Sequence, residues 1–325
     1  MTKKKTVGPN RSQIRIGISS CLLGRKVRFD AGHKHDRYIT DMLGPFVSFV
    51  AVCPEIEVGM GVPREAVRLE GDLENPRLVG NKTGEDWTDR MNRYAAQRLK
   101  KADLGDLCGF VLKNRSPSCG MERVKITTGP GASVRKGRGL FAAALMDRFP
   151  DLPIEEEGRL GDAGLRENFV ERVFAYKRLR ELFSRPFARG AVVDFHAAHK
   201  FMLLAHSPEC YRKLGQQVAR IKQMTPSHFK DEYRSLFMRA LQFKATVKKN
   251  TNVLQHIAGF LKMHLSESEK RDVHEAIADY HRSLVPLIVP ITLLRHFVNK
   301  YEIEYIRNQY YLNPHPKELM LRNHV

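Results

Sequence analysis

The sequence predicts an α/β N-terminal domain, a mostly parallel sheet with flanking helices, followed by an all-α C-terminal domain. Three observations predict it. Short apolar runs alternate with helical stretches as far as about residue 158. From Asp162 onward the apolar residues recur at helical spacing, and no strand signal of weight remains. A chain of 325 residues also exceeds one ordinary compact core. The expected organisation is a basic disordered arm over 1–13, an α/β domain over 14–160 and a helical domain over 161–325.

In chain order, the first strand is Ile14 to Ser19, which leads into Cys21 and a loop, Leu22 to Lys34, mixing glycine, charge and the aromatic Phe29. A helix is expected over 36–43, and a second strand over 46–52 that ends at Cys53. A Gly- and Pro-rich loop then runs to Arg64. Residues 66–82 read as a small hairpin. Residues 88–102 read as a helix with Met91, Tyr94, Ala95, Arg98 and Leu99 at helical spacing. The third strand, Gly109 to Lys113, precedes Ser116-Pro117-Ser118-Cys119-Gly120. Gly129-Pro130-Gly131 breaks the chain, and Arg135 to Gly139 reads as a flexible basic loop. A helix over 140–148 and a last strand over 153–156 complete the domain.

In the second domain Asp162 caps a helix to about Phe183, and Pro186 and Gly190 mark a break. Helices follow over 192–205, 208–222, 227–248 and 251–265. Ser266 and Glu269 form a capping-box start for a helix to about 283, and another covers 287–300.

Composition narrows the function classes. A hydrophobic content of 42% excludes a largely disordered chain. The longest apolar candidate for a membrane span, Leu284 to Leu294, is short and holds Pro286 and Pro290. The N-terminus is basic and polar without an apolar stretch, unlike a signal peptide, so a cytoplasmic protein is expected. Five cysteines in such a chain point to packing, metal or catalysis rather than disulfides. The net charge is +19. Residues 1–160 hold 28 Lys and Arg against 20 Asp and Glu, or +8, and residues 161–325 hold 27 against 16, or +11. Such a charge favours a polyanionic partner, nucleic acid before a membrane surface. No obligate protein partner is evident.

The chemistry centres on thiols. Three strand-like runs each deliver one cysteine at their C-terminal ends: Cys21, Cys53 and Cys119. In an open α/β sheet that edge collects ligands. Three thiolates suit zinc or an iron–sulfur cluster; buried structural thiols are the third alternative. His33 is a candidate fourth zinc ligand. No close Cys-x-x-Cys pair is present, which favours a 4Fe–4S cluster with one iron left open as a Lewis acid. Cys108 and Cys210 read as packing cysteines. Glu55 is a candidate acid/base beside the site, or else a helix cap or the partner of a nearby Arg. Ser116 either orients substrate or water or makes a turn bond before Pro117. Asp30 and His33 either line the pocket or stabilise their loop. Candidate nucleic-acid contacts are Arg135, Lys136 and Arg138, and Lys244, Lys248 and Lys249 on a helical face; for each, a solvated face is the alternative. His196, His199 and His206 lie three and seven residues apart, but no carboxylate or thiol completes a metal set, so packing or RNA contact is expected.

Four motifs occur in order: Ser20-Cys21-Leu22-Leu23-Gly24; Val27-Arg28-Phe29-Asp30 through Gly32-His33-Lys34; Cys53-Pro54-Glu55; and Ser116-Pro117-Ser118-Cys119-Gly120. Together they resemble the thiouracil desulfidase family over roughly residues 14–158. Phe195-His196 through His199-Lys200 and Ala205-His206-Ser207-Pro208 resemble the helical domain often fused to it, and the fused form resembles the bacterial tRNA 4-thiouridine desulfidases. One departure is Glu57 to Pro63, where simpler members of the family run Gly-Gly-Leu-Pro. The resemblance implies a 4Fe–4S cluster on Cys21, Cys53 and Cys119, with one iron not ligated by protein. It further implies Glu55 and Ser116 as catalytic side chains, non-redox replacement of sulfur by oxygen, and tRNA binding helped by the helical domain. Three functions stay open: desulfuration of 4-thiouridine in tRNA, the same chemistry on free thiouracil, and a non-enzymatic metal-containing RNA-binding protein.

Overall fold

A computed structural model describes residues 14–324, so the arm expected over 1–13 lies outside the described residues. The chain divides into two compact units, Met1–Gly161 and Asp162–Val325.

The first unit holds two sheets. One contains β1 (Ile14–Ser19), β2 (Val47–Val52), β5 (Gly109–Leu112) and β8 (Ile154–Glu156) in the order β2-β1-β5-β8. All its pairings are parallel. β1, β2 and β5 are short and mostly apolar, and β5 is buried along its whole length, as expected for a strand covered on both faces. The other sheet joins two hairpins, β3 (Val67–Gly71) with β4 (Pro76–Gly80) and β6 (Val124–Gly129) with β7 (Ala132–Gly137), in the order β4-β3-β6-β7.

The second hairpin corrects the reading of 135–139 as a flexible loop. Gly129-Pro130-Gly131 is its turn, and Arg135 and Lys136 stand on β7. Tyr38–Leu43 is a π-helical segment, and the Gly- and Pro-rich loop after Cys53 opens with one helical turn, α1 (Pro54–Glu57), with Pro54 at its first position.

Helices α2 (Thr88–Arg98) and α4 (Leu140–Arg148) pack together beside the parallel sheet, with the short α3 (Ala102–Gly105) between them in sequence. Phe141 of α4 meets Phe110 of β5, their ring centroids 6.2 Å apart. Phe110 is fully buried because Gly17 stands directly opposite it on β1 and leaves room for its ring.

The second unit is helical: α5 (Ala163–Ser184), α6 (Arg189–His206), α7 (Pro208–Ala219), α8 (Pro226–Gln242), α9 (Val247–Leu261), α10 (Glu267–His281), α11 (Ile288–Lys300) and the short α12 (Glu304–Arg307). Side-chain caps define the starts: Asp162 for α5, Ser207 for α7, Thr225 for α8, Thr246 for α9, and a Ser266–Glu269 capping box for α10. Thr246 also explains why the helix expected over 227–248 stops at Gln242. The chain extends at Phe243, whose carbonyl receives a bond from His206 Nδ1 at 2.6 Å, and α9 starts afresh. One core gathers on α5–α8 and another on α9–α11, and α6 contributes to both through Met202 and Leu203 on one side and Phe201 and Ala205 on the other. Among the described residues no helix is long and apolar enough to cross a membrane.

A Cβ added at Gly17 lies 2.2 Å from Phe110 Cδ2. Gly17→Ala is therefore expected to destabilise the protein by about 1–3 kcal/mol, the range for overpacking a core. Thermal unfolding checks this: a lowered Tm is expected, partly restored by adding Phe110→Leu, and an unchanged Tm contradicts the packing account.

Candidate active site

Three adjacent parallel strands end at one edge of the sheet, and each hands on a cysteine. Ser19 of β1 is in register with Val52 of β2, so Cys21 and Cys53 emerge from the same edge. Cys21 lies in the 3-10 turn Ser20–Leu23, and its carbonyl closes the following loop by accepting from Gly24 N at 3.3 Å and Lys34 N at 3.0 Å. Cys53 sits at the N-terminal boundary of α1, where its N–H donates to Glu57 Oε1 at 3.0 Å. Beyond β5, Lys113 N donates to Ser19 Oγ at 3.0 Å, tying the third strand end to the first. Cys119 follows in a tight turn: Ser116 Oγ accepts from Ser118 N at 3.3 Å and Cys119 N at 3.1 Å. The turn is welded to α4, whose leading N–H groups at Leu140, Phe141 and Ala142 donate to the carbonyls of Pro117 and Ser118.

The three thiols line one cavity of about 400 Å³ together with Phe29, Glu55, Arg64 and Ser116. Burial pushes the Cys21 thiol up to about 11, with Cys53 adding to the effect and Lys113 and Arg28 opposing it. Burial likewise raises Cys53, and it raises Cys119 further, assisted by Glu55. The thiols are thus neutral on their own and would become ligands only as cation binding released their protons to solvent. Among the described residues no three His, Cys, Asp or Glu side chains are grouped closely enough to hold one metal ion. Three soft thiol donors lining one shared cavity fit a cluster, in which each thiolate would bind a different iron.

Beside the thiols stands a polar chain. Glu55 pairs with Arg64 through Oε2, and its Oε1 accepts from Ser118 Oγ at 2.6 Å and faces Ser116 Oγ at 3.5 Å. The two serine hydroxyls are 3.0 Å apart. Ser116 Oγ thus makes the turn bonds expected before Cys119 and also stands beside the carboxylate. Glu55 likewise has the Arg partner that was its alternative role. Arg64 also donates to the carbonyls of Val27 at 3.1 Å and Gly61 at 2.8 Å, which fixes it against two loops. Lys113 is paired with Glu157 and Asn114.

Two residues here went unread in the sequence. Ser118 is 1% exposed and is the closer of the two hydroxyls to Glu55; its place within Ser-Pro-Ser-Cys was the available signal. Arg64 had none, because only the folding of the loop after α1 brings it back to Glu55. Arg115, in the turn before Ser116, lines the cavity with φ of 56°, a left-handed conformation costing a non-glycine residue roughly 1–2 kcal/mol.

Other candidates lie elsewhere. Asp30 and His33 are exposed and off the cavity wall: Asp30 accepts from Gly32 N at 3.0 Å and pairs with Arg28, and His33 Nδ1 accepts from His35 N at 3.2 Å. Arg135, Lys136 and Arg138 are exposed and also outside the lining. In the helical unit Lys248 is exposed on α9, whereas Lys244 belongs to the segment between α8 and α9 and pairs with Asp162. Lys249 spends its ammonium on the His206 carbonyl at 2.7 Å. His196 bonds Tyr233 at 3.1 Å, His199 accepts from Arg178 Nε at 3.2 Å, and His206 meets Glu171 at 3.1 Å, so each is occupied in packing. Cys108 and Cys210 are buried away from the cavity lining.

Gly139 sets the height of the Cys119 turn. A Cβ there lies 2.5 Å from the Ser118 carbonyl carbon, and backbone cannot swing aside as a side chain can. Gly139→Ala is expected to lower Tm and to expose Cys119, raising its alkylation rate in metal-free protein at least about tenfold while Cys210 stays protected. Peptide mass spectrometry of iodoacetamide-treated protein reads this, and equal labelling contradicts it.

Residues 16–157 match the family described as 2-thiouracil desulfurase, and residues 200–316 match a domain described as a protein of unknown function, DUF1722. Two curated relatives align well over their own lengths. YbgA of Escherichia coli (strain K12), described as an uncharacterized protein, is 32% identical over 153 residues, covering 47% of this chain and 90% of its own. YbbK of Bacillus subtilis (strain 168), described likewise, is 31% identical over 135 residues, covering 40% of this chain and 88% of its own. A solved structure of the 4Fe-4S-dependent thiouracil desulfidase TudS is 30% identical and covers 46% of this chain and 94% of that one, with a TM-score of 0.38. Through its N-terminal unit, the chain belongs to the 2-thiouracil desulfurase family.

Proposed function

We propose that the chain is a 4Fe–4S-dependent desulfidase that converts 4-thiouridine in tRNA to uridine with release of sulfide. The observation that carries this reading is the meeting of Cys21, Cys53 and Cys119 with the Glu55–Ser118–Ser116 chain around one cavity. The three cysteines would hold three irons, leaving the fourth without a protein ligand. When bound, such a cluster supplies a soft Lewis acid matched to a thiocarbonyl sulfur rather than a carbonyl oxygen.

The reaction is a hydrolysis. The thiocarbonyl carbon gains the oxygen of one water, its bond to sulfur breaks, and both water protons leave with the sulfur as hydrogen sulfide or its ions, with no net electron transfer. The chain's own part is proton handling and placement. Arg64 occupies Glu55 Oε2 and balances its charge, which leaves Oε1 to the hydroxyls. Ser118 is hydrogen-bonded to both Glu55 and Ser116, so a proton from water at Ser116 has a two-hydroxyl path to Glu55 Oε1.

The macromolecular substrate is supported by the net charge of +19, which suits a phosphate backbone. A modified base in folded tRNA must be extruded or already unstacked to reach such a cavity. A second reading, desulfuration of free thiouracil, has the family's own description in its favour.

Single substitutions test the assignment. Cys21→Ala, Cys53→Ala and Cys119→Ala are each expected to lose iron and acid-labile sulfide after anaerobic reconstitution and to fall to background sulfide release. Cys108→Ala and Cys210→Ala keep both. Glu55→Gln is expected to retain iron while lowering kcat about 10²–10⁴-fold, the usual weight of a positioned acid/base group. Turnover retained in any of the first three variants removes that cysteine from the ligand set.

A further inference from the structure

The helical unit holds a groove of about 730 Å³ between α9 and α10, for which desulfuration gives no use. The two helices run antiparallel. Thr251 Oγ1 near the start of α9 lies 3.3 Å from His281 Nδ1 at the end of α10, and Asn250 Nδ2 donates to the Tyr280 hydroxyl at 3.2 Å. Each helix gives the groove one stripe in steps of one turn, from Lys248 to Lys262 and from Lys270 to His281. Leu265, Val273 and Ile277 form a buried aliphatic floor. Ala258, Gly259 and Ala278 line it with little side chain, which lets another backbone come close. A Cβ added at Gly259 meets nothing within 4 Å.

Positive charge stands at both ends of this trough. Lys248 and Lys262 are exposed and have no ion-pair partner among the described residues. Lys270, on the Lys262 side, pairs with Glu267 at 2.7 Å. Among the described residues no Asp or Glu lines the groove. The two most exposed large apolar side chains among the described residues flank it in sequence: Met263, 89% exposed, follows Lys262, and Leu284, 64% exposed, follows the end of α10. Aliphatic surface left open in this amount, and rimmed by polar groups, marks an interaction surface.

Lys248 and Lys262 stand about 21 Å apart at the rise of α9, so the trough has the length of about four helical turns. Its occupant needs an apolar face in the middle and negative charge at the ends. Residues 1–13 of this chain hold Lys3, Lys4, Lys5 and Arg11 and no Asp or Glu, the wrong sign. A nucleic acid has the right sign but the wrong surface. Its bases stack on aromatic rings and Arg, and among the described residues no Phe, Tyr, Trp or Arg lines this groove. We infer that the α9–α10 groove docks an acidic amphipathic helix of a partner protein. The apolar face of that helix lies over Val273 and Ile277 and against Gly259, and its carboxylates meet Lys248 at one end and Lys262 and Lys270 at the other. The inference is independent of the desulfidase reading.

The probe is a fluorescent synthetic helix about four turns long, with Leu and Ala along one face and Glu at both ends. Its controls are a scrambled peptide of the same composition, a version with Lys in place of Glu, and an RNA hairpin. Binding to the full-length protein is read by anisotropy. The acidic helix is expected to bind at least about tenfold more tightly than the scrambled peptide, which shares its charge but not its apolar face. Lys248→Glu with Lys262→Glu is expected to weaken the acidic helix at least about tenfold and to strengthen the Lys version, since like charges then face the Glu ends. Gly259→Gln fills the groove where the free protein has room, so it is expected to weaken the acidic helix while Tm holds or rises. Equal binding of helix and scrambled peptide, or binding indifferent to both sets of substitutions, reduces the effect to general attraction to a basic protein and overturns the proposal. Loss of hairpin binding in the double variant, with peptide binding unchanged, gives the stripe to nucleic acid and overturns it. A dimer in sedimentation that Gly259→Gln dissociates, in protein that ignores the peptide, gives the groove to a second copy of the chain and also overturns it.

Discussion

Parallel pairing of β1 with β2 on one side and β5 on the other is the constraint on which the site depends. Ile16 of β1 is in register with Phe49 and with Gly109, so the three strands run in the same direction and finish at a common edge. Cys21, Cys53 and Cys119 are far apart in sequence and have no local reason to meet. The ladder supplies one, and the Lys113 N to Ser19 Oγ bond at 3.0 Å secures the last strand end. Gly17 opposite Phe110 and Gly139 against Ser118 then set how closely the layers approach. The thiols inherit their positions from this backbone, which is why residues without functional groups matter to the chemistry.

Around that edge the charges are arranged by depth. Buried Glu55 and Lys113 each have an opposite partner, in keeping with the high cost of an isolated buried charge. Burial raises all three thiols and keeps them protonated on their own, so any cation they hold would have to displace their protons. Glu55 is gripped from both sides, by Arg64 on one oxygen and Ser118 on the other, and this orients a carboxylate beside the thiols. Lys34 and Arg115 line the same cavity but are exposed, where solvent screens their charge.

Much of this was legible because of where the residues fall in sequence. The strands ending before Cys21, Cys53 and Cys119 are short apolar runs bounded by turn residues, and the caps Asp162 and Ser266 announce their helices. The β6–β7 hairpin was harder: Val124, Ile126 and Val134 are its few apolar positions, and Gly-Pro-Gly masked the strands on either side. The stop at Gln242 was hidden because apolar residues continue at near-helical spacing through Val247, while the Thr246 cap and the His206–Phe243 bond that enforce the break are a local signal and a long-range one. Arg64 as the partner of Glu55 lies beyond any spacing rule, since their meeting depends on the path of an irregular loop. Asp30 and His33 belong to the correct loop, but its turn points them outward and Phe29 and Arg28 inward.

The central claim to test is cluster-dependent loss of sulfur from a thiolated base in RNA. The most direct measurement is the near-UV thiocarbonyl absorbance of 4-thiouridine-containing tRNA incubated with anaerobically reconstituted full-length protein, followed by nucleoside analysis. The absorbance is expected to decline and uridine to appear in equal amount, both changes requiring the reconstituted cluster. Unchanged absorbance with the cluster shown to be intact contradicts it.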